Sequence, residues 1–183
     1  FTSPEERKQR GHFGTPTAIA KFMAGMFSQF PEETIRVLDP GSGVGTLSAA
    51  VCQRAIALKA PRSFHFELWE SDPKLAPLAE ATMKQCQIGL RSAGHEMTFA
   101  IRIDDFILAN TQSSLFSSGP ERSFHLAILN PPYFKLRRES PQSHAMRHIV
   151  HVQPNIYALF MALAADMLVR NGEMVAITPR SYF

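Results

Sequence analysis

Short apolar runs alternate along this chain with stretches in which apolar residues recur every three to four positions. Ile35–Asp39 (IRVLD), Phe64–Glu70, Phe99–Ile103 and Leu126–Asn130 (LAILN) read as strands, and Met174–Thr178 reads as a fifth. Between them lie three helical stripes. Leu47, Ala50, Val51, Ala55 and Leu58 make the first, and Leu75, Leu78, Ala79, Met83, Cys86 and Leu90 the second. Ile156, Leu159, Phe160, Leu163, Met167 and Leu168 make the third. Ahead of the first strand, Ile19, Phe22, Met23, Met26 and Phe27 predict an amphipathic helix, with Thr15 as its N-cap before Pro16. Pro73 and Pro154 stand at first helical positions, and Asn171–Gly172 reads as a helix stop. The polar stretch Asn110–Ser123 reads as a loop. Strands alternating with helices predict an α/β fold: a mainly parallel sheet with helices on both faces, plus an N-terminal helix.

Composition narrows this picture without changing it. With 183 residues, 45% hydrophobic and 19% charged, the chain has the material for one domain and one sizeable core. The longest apolar run, Ile156–Ala165, falls far short of the ~20 residues of a membrane span. The start, FTSPEERKQRGH, has no apolar signal core. Cys52 and Cys86 form no disulfide framework and suit a reducing cytoplasm. The chain opens on Phe1 and stops on TPRSYF straight after a strand-like run, which reads as a piece of a longer protein.

The net charge of +3 is local. Phe134–Gln153 carries Lys135, Arg137, Arg138 and Arg147 against Glu139 alone, and the rest of the chain sums to zero. A basic patch of this kind fits an anionic partner, as a mobile loop touching phosphates or simply as a solvated loop. His144, His148 and His151 share the stretch, but no Cys or carboxylate completes a metal site with them.

The run VLDPGSGVGTLS follows the first strand and opens a helix. Gly41, Gly43 and Gly45 allow a sharp turn and a close approach of backbone to a ligand. The spacing is neither that of a dinucleotide fingerprint nor that of a phosphate loop. Asp39 would repel a diphosphate but would attract a cationic amino group, so the ligand suggested has a positive end, as S-adenosylmethionine has. Glu70, at the end of the second strand, can accept from ribose hydroxyls. Asp104, Asp105 and Phe106 follow the third strand, where an acid can accept from an adenine amino group and Phe106 can pack on its ring.

Asn130-Pro131-Pro132-Tyr133 carries the most specific chemistry. Two prolines cannot continue a central strand, so the strand ends at Asn130, where open α/β sheets place their ligands. The Asn130 side-chain oxygen and the Pro131 carbonyl make two converging acceptors, and Tyr133 adds a flat stacking face. Two acceptors on one NH₂ favour a more tetrahedral nitrogen whose lone pair points at an electrophile. No strong base is needed, because positioning supplies much of the rate.

With these residues in order, the sequence resembles the S-adenosylmethionine-dependent adenine-N-6 DNA methyltransferases of restriction–modification systems, most closely their gamma class. GHFGTPTAIAKFM resembles the family's N-terminal motif, DPGSGVG its glycine loop, WESDP its ribose motif and DDF its adenine motif. NPPY resembles its catalytic motif, and QPNIYALFMALAADML and NGEMVAITPRSYF its following helix and strand. The resemblance implies a class I methyltransferase domain over residues 1–183, truncated at its C-terminus. It implies a cofactor site of Thr15, Asp39, Gly41, Gly43, Glu70, Asp105 and Phe106, with Thr15 at the methionine end, and catalytic residues Asn130, Pro131, Pro132 and Tyr133. It further implies duplex DNA with a flipped adenine as substrate. The family's target-recognition domain and its later aromatic would lie beyond Phe183, and a nuclease can be fused or separate. Other readings of the same tetrapeptide stay open: methylation of a protein glutamine or an RNA amine, or a non-catalytic cofactor- or DNA-binding subunit. A nicotinamide-dependent dehydrogenase fits least, for want of its glycine spacing.

Overall fold

The apolar runs become the strands of one parallel sheet in the computed structural model of the chain, which describes residues 14–28, 30, 33–58, 62–112, 123–146 and 155–179. In chain order the elements are α1 Thr17–Met26, β1 Thr34–Pro40, α2 Thr46–Ala55, β2 Ser63–Trp69, α3 Ala76–Ser92 and β3 Glu96–Arg102. Then come α4 Phe106–Gln112, β4 Phe124–Leu129, α5 Pro141–Ala145, α6 Ile156–Asp166 and β5 Leu168–Ala176. The strand order is β3-β2-β1-β4-β5, and every described pairing of these strands is parallel. The chain winds outward from β1 to β3, then returns to place β4 on the other side of β1. The carboxyl ends of β1 and β4 therefore part at a switch point, where such sheets hold their ligands.

The runs are continuously apolar because both faces of the sheet are covered. Along β4, Leu126 and Ile128 join one core, with Val37, Phe64, Phe66 and the helices α1, α2 and α3. Ala127 and Leu129 join the other, with Leu38, Phe106, Leu159, Phe160 and Leu163 from α4 and α6. Among the described residues, no helix is long and apolar enough to cross a membrane.

Several local expectations need correction. The buried residues of α1 are Ala20, Met23 and Ala24, with Phe27 just beyond it, whereas Ile19, Phe22 and Met26 are 44, 69 and 59% exposed. Met23 and Phe27 of the expected stripe thus enter the core beside the small Ala20 and Ala24, while its other three members stay outside. Leu78, expected in the second stripe, is likewise exposed. Thr15 makes no cap for α1, whose N-cap position is Pro16. Pro73 lies in a turn closed by Asp72, through Leu75 N–H to the Asp72 carbonyl at 3.0 Å and Lys74 N–H to Asp72 Oδ1 at 3.0 Å; α3 starts only at Ala76. The stretch expected as a loop from Asn110 is helical as far as Gln112.

The helix stop assigned to Asn171–Gly172 is also wrong. α6 ends at Asp166, and β5 begins at Leu168. Asn171 has φ +66° inside β5, where the pairing jumps from Phe124 opposite Leu168 to Leu126 opposite Glu173. A residue tolerant of left-handed backbone serves a bulge here as readily as a helix end. Pro154, His148, His151, Arg147 and Phe183 lie outside the described residues.

Candidate functional site

Between β1 and α2 the backbone turns through Gly41, Gly43 and Gly45, whose φ angles are +73°, +57° and +82°. An L-residue would be strained at each, which is why the sequence spends three glycines in five positions. The N–H groups of Gly41 and Ser42 both donate to the Trp69 carbonyl at the end of β2, at 2.8 and 2.9 Å. The turn closes with Gly45 N–H to the Ser42 carbonyl at 2.9 Å.

Glu70 holds the same loop from the neighbouring strand. Only 2% exposed, its Oε2 accepts from Gly43 N–H at 2.9 Å and its Oε1 from Asp72 N–H at 2.8 Å. The acid expected to meet a ribose thus also fixes the middle glycine. Each of its oxygens has a lone pair beyond the one it uses here.

Asp39 is fully buried. Its Oδ2 accepts from the Ser48 hydroxyl at 2.6 Å and the Ser48 N–H at 3.2 Å, so it caps the first turn of α2. Its Oδ1 is buried with no hydrogen-bond partner among the described residues. Burial pushes the carboxyl from 3.8 up to about 7, against the Ser48 bonds that lower it and with a smaller push from the Glu70 charge. Between those two values the folded chain holds a proton that the unfolded chain has released. This group's contribution to stability is therefore complete below pH 3.8 and is lost as pH rises through about 7. The expected result is that Asp39→Asn gains stability relative to the parent between pH 5 and pH 8. Thermal melts of both proteins across that range check it, and parallel curves would refute it.

Past β3, Asp105 caps α4: its Oδ1 accepts from Leu108 N–H at 2.9 Å, and its Oδ2 from the Gln142 side-chain amide at 2.9 Å. Phe106, the next residue, is 2% exposed and packs against Trp69 and Phe160, with ring centroids 5.8 and 5.3 Å away. It backs the site as part of an aromatic wall and offers no open face. Phe160 also lies under the glycine loop, 3.5 Å from where a side chain on Gly41 would begin.

At the end of β4 the two prolines stop the ladder, as their missing N–H groups require. The half-buried Asn130 side chain is held from both ends. Its Nδ2 donates to Thr15 Oγ1 at 3.0 Å, and its Oδ1 lies 2.8 Å from the Tyr133 hydroxyl, which donates to it. The same hydroxyl lies 3.0 Å from the Ile177 carbonyl just past β5. Burial raises the Tyr133 phenol to about 12, so it stays a neutral donor. Its ring tilts against Tyr157, 6.1 Å between centroids.

The basic stretch after Tyr133 is anchored to the fold in its described part. Leu136 and Met146 are buried in the second core, and Lys135 pairs with Asn155 ahead of α6. Lys135, Arg137, Arg138 and His144 remain exposed. Phe134, Lys135, Leu136, Arg137, Glu139 and Ser140 line an open depression of about 530 Å³.

The fold thus draws Asp39, the glycine loop and Glu70 into one group, and Thr15, Asn130 and Tyr133 into a second at the adjacent strand end. Four contributors escaped the sequence reading. Ser48 left one signal that could have found it, a polar residue in the first turn of α2. Gln142 and the carbonyls of Trp69 and Ile177 carry no residue-type cue and follow only from strand order.

Residues 47–183 match the family model described as Eco57I restriction-modification methylase. The chain is 34% identical over 183 residues to the type II methyltransferase M.BsuBI of Bacillus subtilis, covering 97% of this chain and 35% of that protein. It is 32% identical over 178 residues to the type II methyltransferase M.PstI of Providencia stuartii, covering 96% of this chain and 34% of that one. The chain spans about one third of the length of these curated relatives. A solved structure described as a class I S-adenosylmethionine-dependent methyltransferase from Listeria monocytogenes shares the fold. Its TM-score is 0.66 at 18% identity, covering 94% of this chain and 48% of that one.

Proposed function

The chain belongs to the Eco57I restriction-modification methylase family, and from that premise we propose that it transfers a methyl group from S-adenosylmethionine to the exocyclic N-6 amine of adenine in DNA. The observation that carries this reading is Asn130 at the carboxyl end of β4, fixed by Thr15 and Tyr133 beside the glycine loop.

The residues present fit the cofactor. Asp39 Oδ1 is a buried acceptor without a partner, suited to an ammonium group. The glycine loop leaves room for close backbone approach, and Glu70 keeps lone pairs for ribose hydroxyls. Asp105 keeps acceptor capacity for an adenine amine beside the Gln142 amide that it already meets. When bound, the cofactor supplies an electrophilic methyl group on a sulfonium. Asn130 Oδ1 and the Pro131 carbonyl then accept from the two N–H bonds of the target amine and turn its lone pair outward. Tyr133 stacks on the base, which must leave the duplex to reach it. The exposed Lys135, Arg137 and Arg138 neutralise phosphates, a contact that positions DNA without reading sequence. Sequence recognition, any paired nuclease and the action of the whole protein in a restriction–modification system fall to the same proposal.

The complete protein, incubated with methyl-labelled S-adenosylmethionine, is expected to label DNA and yield N-6-methyladenine on digestion. Label in cytosine, RNA or protein would keep the fold and overturn the substrate. Binding of the cofactor with no label in any acceptor would overturn the catalytic reading.

A further inference from the structure

We propose that Thr15 is a positioning residue for the target-amine acceptor: its hydroxyl grips the nitrogen end of the Asn130 amide and keeps that side chain in place. The proposal rests on the methyl-transfer reading above and adds to it a role for the N-terminal segment at the acceptor side of the reaction.

Asn130 Nδ2 donates to Thr15 Oγ1 at 3.0 Å, and Oδ1 accepts from the Tyr133 hydroxyl at 2.8 Å, so the amide is gripped at both ends. A side-chain amide held at one end alone can swing about its Cβ–Cγ bond, and its oxygen then loses its aim. An amide oxygen has two lone pairs, so Oδ1 can keep the Tyr133 bond and still accept from a target N–H. The Thr15 contact at the nitrogen end keeps that second lone pair in place.

The segment that delivers Thr15 is held in place. Thr15 precedes α1, whose interior face is buried against α2. Just beyond the other end of the helix, Ser28 donates through its N–H to Glu173 Oε2 at 2.8 Å and through its hydroxyl to Glu173 Oε1. Glu173 sits on β5, four residues before Ile177. The N-terminal helix is thus tied to the strand whose end also receives the Tyr133 hydroxyl. Both grips on the Asn130 amide are referred to one rigid frame.

The test is Thr15→Val, which keeps the branched shape and removes the hydroxyl, made in the complete protein. With DNA and cofactor saturating, kcat is expected to fall ~10–100-fold, the scale of a small misplacement at a reacting centre. Cofactor Kd, measured by calorimetry, should stay within ~3-fold, and Thr15→Ser should restore most of kcat. A second readout needs no turnover. The side-chain amide protons of Asn130, assigned by their loss in Asn130→Asp, should be exchange-protected in the parent and unprotected in Thr15→Val. A raised Kd with unchanged kcat would make Thr15 a cofactor contact alone and overturn the proposal, as would unchanged amide protection. A parent protein that methylates no amine would refute the functional reading instead, with the amide signal still reporting on the Thr15 contact.

Discussion

Asn130→Ala is expected to stop methyl transfer while leaving cofactor affinity within a few-fold. The side chain supplies one of two acceptors for the reacting nitrogen, and loss of one such preorganised group typically costs ~10²–10³ in rate. The structure argues that this loss is local. Asn130 is only half-buried, and the Tyr133 hydroxyl that it binds is not stranded by its removal. The Tyr133 hydroxyl turns to the Ile177 carbonyl, already 3.0 Å away. The glycine loop, Asp39 and Glu70 are held by their own bonds, Gly43 N–H to Glu70 and Ser48 to Asp39, so the cofactor group keeps its geometry. Single-turnover transfer measured beside a cofactor titration separates the two quantities. Loss of cofactor binding in this variant would contradict the division between the two groups of residues.

That division was partly legible in the chain before folding was considered. Strands buried on both faces announce themselves as unbroken apolar runs, so the parallel sheet and its order of helices followed from pattern alone. The glycines and the Pro-Pro pair were legible for a different reason: each marks backbone that other residues cannot adopt. What failed was finer. Of the stripe on α1, Met23 and Phe27 are buried as expected, whereas Ile19, Phe22 and Met26 are exposed and the smaller Ala20 and Ala24 take buried places beside Met23. Asn171–Gly172 can end a helix or bulge a strand, and only the pairing of β5 with β4 decides between them. Thr15 reads as a cap from its neighbours Pro16 and Thr17; that its hydroxyl meets Asn130 depends on a contact spanning 115 positions. Backbone acceptors such as the Ile177 carbonyl have no sequence identity at all.

Glu70→Ala should damage both fold and cofactor site, and Glu70→Gln separates the two effects. The carboxylate is buried and accepts from Gly43 and Asp72 N–H groups. Hydrogen bonds to charged groups contribute about 1.5–3 kcal/mol each, so alanine is expected to lower the melting temperature by several degrees. It also releases Gly43, whose φ of +57° needs a defined partner to stay in the turn a ligand would meet. Cofactor affinity should weaken by at least ~1.5–3 kcal/mol, the worth of one lost charge-assisted bond. Glutamine keeps the shape and one acceptor but turns an NH₂ against one of the two N–H donors. It should therefore recover part of the stability and less of the affinity, because it removes the charge. The charge has its own readout at Asp39, whose carboxyl the Glu70 charge helps to raise. Either Glu70 variant should lower that carboxyl below about 7 and shift the fall in stability to lower pH. An unchanged affinity in Glu70→Ala would remove this residue from the site. An unchanged pH profile would show that burial alone sets the state of Asp39.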